Sequence, residues 1–187
     1  MNRYSRGAVV LHWLSALFVL AAIGVGLYMK NAPLPPKTMF ALFQLHKSLG
    51  VTALGLVALR LVWRATHRPP ALPDGLAAWE RAAAHGVHVL LYVLLIAVPV
   101  SGWIVVSASP LNIPTVLYGA IPWPHLPWFS TLADKKAWEP LLKAIHDTGA
   151  FVFIAIILGH VGAAVRHAVK GDVPLARMGF SFRRKDG

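Results

Sequence analysis

Hydrophobic residues form four long runs along the chain, and short polar or proline-bearing stretches separate them. The runs cover about residues 8–29, 39–62, 82–106 and 141–169. A helix needs about 20 apolar residues to cross the roughly 30 Å hydrocarbon core of a bilayer. The first run also exceeds the roughly 7–15-residue core of a signal peptide, so we predict that it is retained. The pattern predicts an all-α membrane protein, a four-transmembrane-helix bundle that forms one domain over residues 1–187.

Composition supports a membrane protein and restricts its chemistry. Hydrophobic residues make up 57% of the chain, charged residues only 13%, and the mean hydropathy is +0.60. A soluble domain has about 25% charged residues. The chain has no cysteine, which excludes disulfides, thiolate nucleophiles, iron–sulfur clusters and covalently attached c-type haem. Nine histidines and only seven carboxylates remain, so any metal chemistry must depend mainly on histidine.

The basic residues divide unequally between the two sides of the predicted bundle. Such an excess of basic residues marks the cytoplasmic side of a membrane protein, so we predict that both termini are cytoplasmic. Because the net charge of +11 is spread over termini and loops, we predict no binding to nucleic acid. The cytoplasmic set comprises Arg3, Arg6, Arg60, Arg64, Arg68, Arg81, Arg166, Lys170, Arg177, Arg183, Arg184 and Lys185, and the opposite set Lys30, Lys37, Lys47, Lys135, Lys136 and Lys143.

The connection between the third and fourth runs, residues 107–138, differs from the other two connections. It is longer and carries five prolines among tryptophan, tyrosine and phenylalanine residues. Proline at this density predicts no continuous helix, and the aromatic residues are typical of the headgroup level of a bilayer. The segment is interpreted either as an interfacial aromatic belt or as a lid over a site outside the cytoplasm.

Histidine within a membrane span is costly and is therefore a functional candidate. His146 and His160 lie fourteen residues apart in the fourth run, so they project from nearly the same helix face, roughly 21 Å apart along the axis. His12 in the first run lies at the depth of His160, and His46 in the second run lies at the depth of His146. The spacing predicts two histidine pairs, one near each membrane surface.

Two facing imidazoles at each of two depths are the ligand set that haem b requires, with one nitrogen on each side of the iron. A porphyrin also needs space beside its ligand, and the residue four positions after each histidine is small: Ala16, Gly50, Ala150 and Ala164. The pattern therefore predicts two haem b groups.

Two further histidines keep two interpretations each. His88 is either a polar core residue or an alternative to His12 as ligand, and His167 is either a surface residue or part of a quinone headgroup pocket. A histidine-based proton or metal transporter is an alternative function, although Asp147 is the only carboxylate well placed within the membrane to assist it. A scaffold subunit without haem is a third class.

The same residues carry a family resemblance over about residues 3–178. The chain resembles the bacterial cytochrome b561 family and, more distantly, the cytochrome b subunits of nickel hydrogenases and formate dehydrogenases. The motifs are Leu11-His12-Trp13 in the first run, Leu45-His46-Lys47-Ser48-Leu49-Gly50 in the second, His85-Gly86-Val87-His88 with Pro99-Val100-Ser101-Gly102 in the third, and Trp138, His146 and Gly159-His160 in the fourth.

The resemblance implies that His12 and His160 bind one haem iron and that His46 and His146 bind the other. It also implies a location in the bacterial inner membrane and electron exchange with ubiquinone. The compact form most similar to this chain is associated with superoxide oxidation outside that membrane. A subunit that receives electrons from another redox partner protein is the alternative.

Two groups of basic residues are further candidates for this chemistry. Lys47, Lys135, Lys136 and Lys143 form a candidate electrostatic funnel for a small anion such as superoxide, or they only anchor helix ends near headgroups. Arg6 and Arg60, with Arg3, Arg64 and Arg166, are candidates to bind haem propionates, since a guanidinium matches carboxylate geometry. Positive charge on the cytoplasmic side explains these arginines equally well.

Overall fold

Four long helices dominate the computed structural model, which describes residues 4–67, 70, 77–169 and 178. Each long helix contains one predicted span and is long and apolar enough to cross a membrane. The prediction of four transmembrane helices is confirmed. In chain order the elements are α1 (Arg6–Asn31), α2 (Pro36–Thr66), α3 (Ala78–Ser107), β1 (Thr115–Leu117), β2 (Ile121–Trp123), α4 (Pro127–Ser130) and α5 (Lys135–Val169).

Local capping explains where several helices begin. The Ser5 hydroxyl accepts a hydrogen bond from the Ala8 amide at 3.4 Å, and Pro36 occupies the first turn of α2, where its missing N–H costs nothing. The Asp134 carboxylate accepts from the Ala137 amide at 3.1 Å. Helix α5 therefore begins at Lys135. It includes residues 135–138, the end of the proline-rich connection for which no continuous helix was predicted.

The helices pack in an incomplete ring. Helix α1 packs on α2, α2 on α3, and α3 on α5, whereas the described residues show no comparably close backbone packing of α5 against α1 or α2. The result is a cleft between α5 and the α1–α2 pair. All four long helices contribute to one buried cluster at mid-height, made of Val19, Ala53, Val57, Leu94, Leu95 and Phe153.

The outward faces of the bundle are apolar. Val62 is 64% exposed and Leu158 is 67% exposed, and many other large aliphatic side chains share this exposure. A monomeric soluble protein rarely shows contiguous apolar surface on this scale, because its contact with water is unfavourable. These faces are suited to lipid.

The segment between α3 and α5 folds into an antiparallel hairpin that fastens to α2. Gln44 binds the hairpin twice, donating to the Pro114 carbonyl at 2.9 Å and accepting from the Val116 amide at 3.2 Å. The Tyr118 amide donates to the Ser48 hydroxyl at 2.9 Å. Since Gln44 and Ser48 each lie two residues from His46, about 160° around the helix, the hairpin packs away from the His46 face. This placement favours the interfacial belt over the lid.

The hairpin turn and its return to α3 complete the segment. Tyr118 and Gly119 adopt positive φ angles of 51° and 74° in the turn. The indole of Trp103 donates to the Pro124 carbonyl at 2.9 Å, and the Ser107 hydroxyl accepts from the Leu126 amide at 2.9 Å. Predictions that concern Arg3, Arg68, Lys170, Arg177, Arg183, Arg184 and Lys185 lie outside the described residues.

Candidate functional site

Four predicted histidines meet as two pairs at opposite ends of the cleft. At the end that carries the hairpin, His46 from α2 faces His146 from α5 with ring centres 6.2 Å apart; we call them the loop-side pair. At the end where α1 begins and α5 ends, His12 faces His160 with ring centres 6.5 Å apart; we call them the termini-side pair. All four rings are half-buried.

The spacing of the rings within each pair fits a metal ion held between two imidazoles. An imidazole nitrogen binds a metal ion such as zinc at about 2.0 Å, and the ring centre lies about 1.1 Å behind it because ring bonds are about 1.3 Å long. Two imidazoles on opposite sides of one metal ion therefore have ring centres roughly 6.2–6.4 Å apart. The observed 6.2 and 6.5 Å agree with this value. The cleft between α5 and the α1–α2 pair is the space in which a flat macrocycle would lie.

Backbone carbonyls orient both rings of the loop-side pair. Nδ1 of His46 lies 2.9 Å from the Ala22 carbonyl, and Nδ1 of His146 lies 3.2 Å from the Val98 carbonyl and 3.0 Å from the Ser101 hydroxyl. A carbonyl only accepts, so Nδ1 carries the proton and Nε2 keeps its lone pair for a metal. Such partners fix the tautomer and the direction of a ligating histidine.

Two glycines on neighbouring helices make room for these rings, and the sequence analysis did not identify their role. A Cβ on Gly26 would lie 3.1 Å from Cε1 of His46, and one on Gly102 would lie 3.0 Å from Cε1 of His146. By contrast, a Cβ on Gly50, one turn after His46, would meet nothing within 4 Å. That open space agrees with the predicted need for small residues beside the ligands.

The termini-side pair has a different environment. Arg60 donates from Nη2 to Nδ1 of His12 at 3.2 Å, so the proton of the His12 ring is on Nε2. A third histidine, His88, lies with its ring centre 5.5 Å from that of His160, shorter than a shared metal ion requires, and its Nδ1 faces the Ala84 carbonyl at 2.7 Å. The geometry favours His12 over His88 as the partner of His160.

Two arginines add positive charge near the termini-side pair. The guanidinium of Arg60 lies 5.3 Å from the centre of the Tyr92 ring, and that of Arg64 lies 5.7 Å from it. Arg6 instead lines a groove of about 540 Å³ between α1 and α2, beside Trp63 and His67. Arg60 is therefore the propionate candidate that contacts a histidine of the pair.

The remaining predicted site residues are the four lysines and His167. The Lys47 ammonium donates to the Pro114 carbonyl at 3.4 Å, Lys135 donates to Asn112 at 3.0 Å, and Lys143 pairs with Glu139 at 2.6 Å. Lys136 is exposed, and His167 lies in the last turn of α5.

The alternative function, a proton or metal transporter, receives little support from the carboxylate beside the loop-side pair. Asp147 forms an ion pair with Lys30 from α1 at 2.6 Å, across the mouth of the cleft. Within the part of the chain that the structure describes, no three histidine or acidic side chains gather as ligands for a metal ion.

Comparisons with known proteins agree with this architecture. The family model described as prokaryotic cytochrome b561 matches residues 3–181. Cytochrome b561 homolog 2 of Escherichia coli K12 is 29% identical over 178 residues, which cover 95% of this chain and 91% of that protein. Cytochrome b561 homolog 1 of the same organism is 28% identical over 184 residues, 95% of this chain and 97% of its own length. The chain therefore belongs to the prokaryotic cytochrome b561 family, a family of haem b proteins of membrane electron transport, and is itself a multi-pass membrane protein.

Proposed function

We propose that this protein is a di-haem b-type cytochrome of the bacterial inner membrane that moves electrons between its two surfaces. His46 and His146 hold one haem, and His12 and His160 hold the other. The observation that carries the proposal is the pair of facing imidazoles at each end of the cleft, with ring centres 6.2 and 6.5 Å apart. A transporter has no need for two pairs at this spacing.

The protein residues position the cofactors and set their surroundings. When bound, the two haems supply reversible one-electron chemistry at iron. With two histidines to hold each iron, both groups would be suited to electron transfer rather than to binding of oxygen. The carbonyls of Ala22 and Val98 orient the loop-side ligands, and Arg60 is placed to exchange its contact with His12 for a haem propionate.

The excess of arginine at the termini supports a cytoplasmic position for the termini-side haem and a periplasmic position for the loop-side haem. His146 and His160 are fourteen residues apart on α5, about 20 Å along the helix axis, so each would hold its haem near one surface. An electron would then cross the bilayer in two shorter steps, by way of one haem and then the other.

The donor that best fits the family resemblance is superoxide, and the acceptor is ubiquinone. Each superoxide loses one electron and leaves as oxygen, while ubiquinone gains two electrons and two protons from water to become ubiquinol. Two superoxide anions are therefore consumed for each ubiquinone. The lysines near the hairpin give the periplasmic surface a positive field that favours an anion. A cytochrome b subunit that serves another redox partner protein is the alternative donor arrangement.

An absorption spectrum of the purified protein tests the cofactor. We expect the dithionite-reduced minus oxidised difference spectrum to show b-type bands and the haem content to approach two per chain. A protein purified from haem-replete cells without these bands would overturn the proposal.

Rapid mixing with superoxide tests the donor. We expect superoxide to reduce the haem and added ubiquinone to reoxidise it, and we expect salt to slow the first reaction because it screens the lysine field. A Lys136→Glu variant is expected to show a slower reaction and a weaker salt dependence. Haem that superoxide does not reduce, but that a partner protein does, supports the alternative.

A further inference from the structure

Phe153 occupies the midpoint of the histidine-bearing face of α5. It lies seven residues after His146 and seven before His160, and each step of seven residues returns to within about 20° of the same direction. Phe153 is 3% exposed and is the only described residue of α5 that is fully buried. The face therefore presents a histidine, a buried phenylalanine and a histidine in order.

The other five members of the buried cluster all lie between the two histidine levels of their own helices. Val19 of α1 follows His12 and precedes Ala22, whose carbonyl binds His46. On α2, Ala53 and Val57 lie between His46 and Arg60, which contacts His12.

Helix α3 repeats this arrangement. Leu94 and Leu95 lie after His88 and before Val98, whose carbonyl binds His146. The buried cluster thus forms a single layer across the bundle, with one histidine pair on each side of it.

Packing in this layer differs from that of the rest of the cleft. The cleft separates α5 from α1 and α2, but Val19, Ala53 and Val57 are at most 6% exposed at the height of Phe153. Phe153 is the largest of the six buried residues and the only one of them on α5, while the half-buried Ile156 and Ile157 of that helix pack beside it against the same cluster. Phe153 is therefore the buried side chain by which α5 joins this layer, between the two histidine pairs.

We propose that Phe153 is the spacer between the two haem sites, a positioning residue that fills the direct path between them with packed atoms and excludes water from mid-height. The proposal rests on the proposed di-haem function. In the step it affects, one iron is oxidised from Fe(II) to Fe(III) and the other is reduced from Fe(III) to Fe(II). No proton or further reactant takes part.

The test measures how fast an electron passes between the two haems. The chain has no cysteine, so a Trp128→Cys variant, at a position on α4 where the tryptophan is 82% exposed, can carry a light-activated ruthenium reductant near the loop side. After a flash, the loop-side haem is expected to be reduced first, and the termini-side haem in a second phase. Phe153→Ala is expected to slow the second phase several-fold, because the void removes packed atoms from the path.

Three further measurements separate a spacer from a merely structural residue. Haem content and both midpoint potentials are measured for every variant. Phe153→Leu retains most of the side-chain volume, so the rate of its second phase is expected to fall between the rates of the wild type and Phe153→Ala. Phe151→Ala on the same helix is the matched control, since its ring is 50% exposed. It is expected to leave the second phase unchanged.

The outcomes distinguish the two proposals. A wild-type protein without two haems contradicts the proposed function. Two haems with unchanged potentials and an unchanged second phase in Phe153→Ala overturn the spacer. If Phe153→Ala loses haem, the Phe153→Leu variant tests the spacer proposal instead. A second phase and a melting temperature that are both unchanged in Phe153→Leu also overturn the spacer proposal.

Discussion

The two histidine pairs differ in how completely the neighbouring residues orient their rings. In the loop-side pair, each Nδ1 faces a backbone carbonyl of a neighbouring helix, and Gly26 and Gly102 pack against the rings. In the termini-side pair, Arg60 occupies Nδ1 of His12, and His88 competes for space beside His160. The loop-side rings are oriented to bind a metal ion, whereas His12 at the termini side would first have to exchange its contact with Arg60.

This difference indicates two ways to build a haem site. Backbone carbonyls and glycines cannot move away without moving a helix, so they hold the loop-side rings in place before the cofactor arrives. Arginine is a flexible side chain that can move from a histidine to a carboxylate. We therefore expect the loop-side site to load first and the termini-side site to depend on Arg60.

The largest expected effect is the loss of one haem when a loop-side ligand is removed. His146→Ala is expected to lower the haem content from about two to about one per chain, because an iron with one axial imidazole is held weakly. His46→Ala is expected to lose the same haem. The pyridine haemochrome assay measures the content, and His85→Ala, an exposed histidine on α3, is the control. Loss of different haems in the two variants contradicts the pairing.

A second prediction decides between His12 and His88 at the termini side. His12→Ala is expected to lose the termini-side haem, because its ring has the correct spacing from His160, whereas His88→Ala is expected to keep both haems. Haem content and difference spectra measure the outcome. The opposite result assigns the ligand to His88 and overturns the assignment of His12.

A third prediction tests the prepared geometry of the loop side. Gly26→Val is expected to displace the His46 ring and to weaken the loop-side haem, since even a Cβ would lie 3.1 Å from the ring. Gly24→Val on the same helix is the matched control, because a Cβ there meets nothing within 4 Å. Haem retention during gel filtration measures the difference, and equal retention in both variants contradicts the role of Gly26.

The smallest expected effect concerns one hydrogen bond. Ser101→Ala removes the hydroxyl at 3.0 Å from Nδ1 of His146 but leaves the Val98 carbonyl at 3.2 Å. We expect both haems to remain and the loop-side midpoint potential alone to shift, by an amount equivalent to about 1 kcal/mol or less. A spectroelectrochemical titration measures it, with Ser130→Ala as control. A shift of the termini-side potential instead would be inconsistent with the assignment.

Sequence alone predicted the four helices and the meeting of His12 with His160 and His46 with His146. Long apolar runs and helical periodicity determine these features, and both are local properties of the chain. The spacing of His146 and His160 in one helix fixed the two depths without any tertiary information.

The hairpin and the ring partners could not be predicted in this way. The hairpin owes its position to Gln44 and Ser48, which lie about 70 residues away along the chain, so no local pattern indicates it. The contact of Arg60 with His12 likewise depends on how α1 and α2 pack. The start of α5 did have a local signal, since Asp134 is a favourable N-cap residue.

Electron paramagnetic resonance of the oxidised protein tests the central claim most directly. Two ferric haems, each with two imidazole ligands, are expected to give two low-spin signals that together account for about two spins per chain, and His146→Ala is expected to remove one of them. A high-spin signal in the wild type, or a single low-spin signal that survives in His146→Ala, would contradict the assignment of two histidine pairs to two haems.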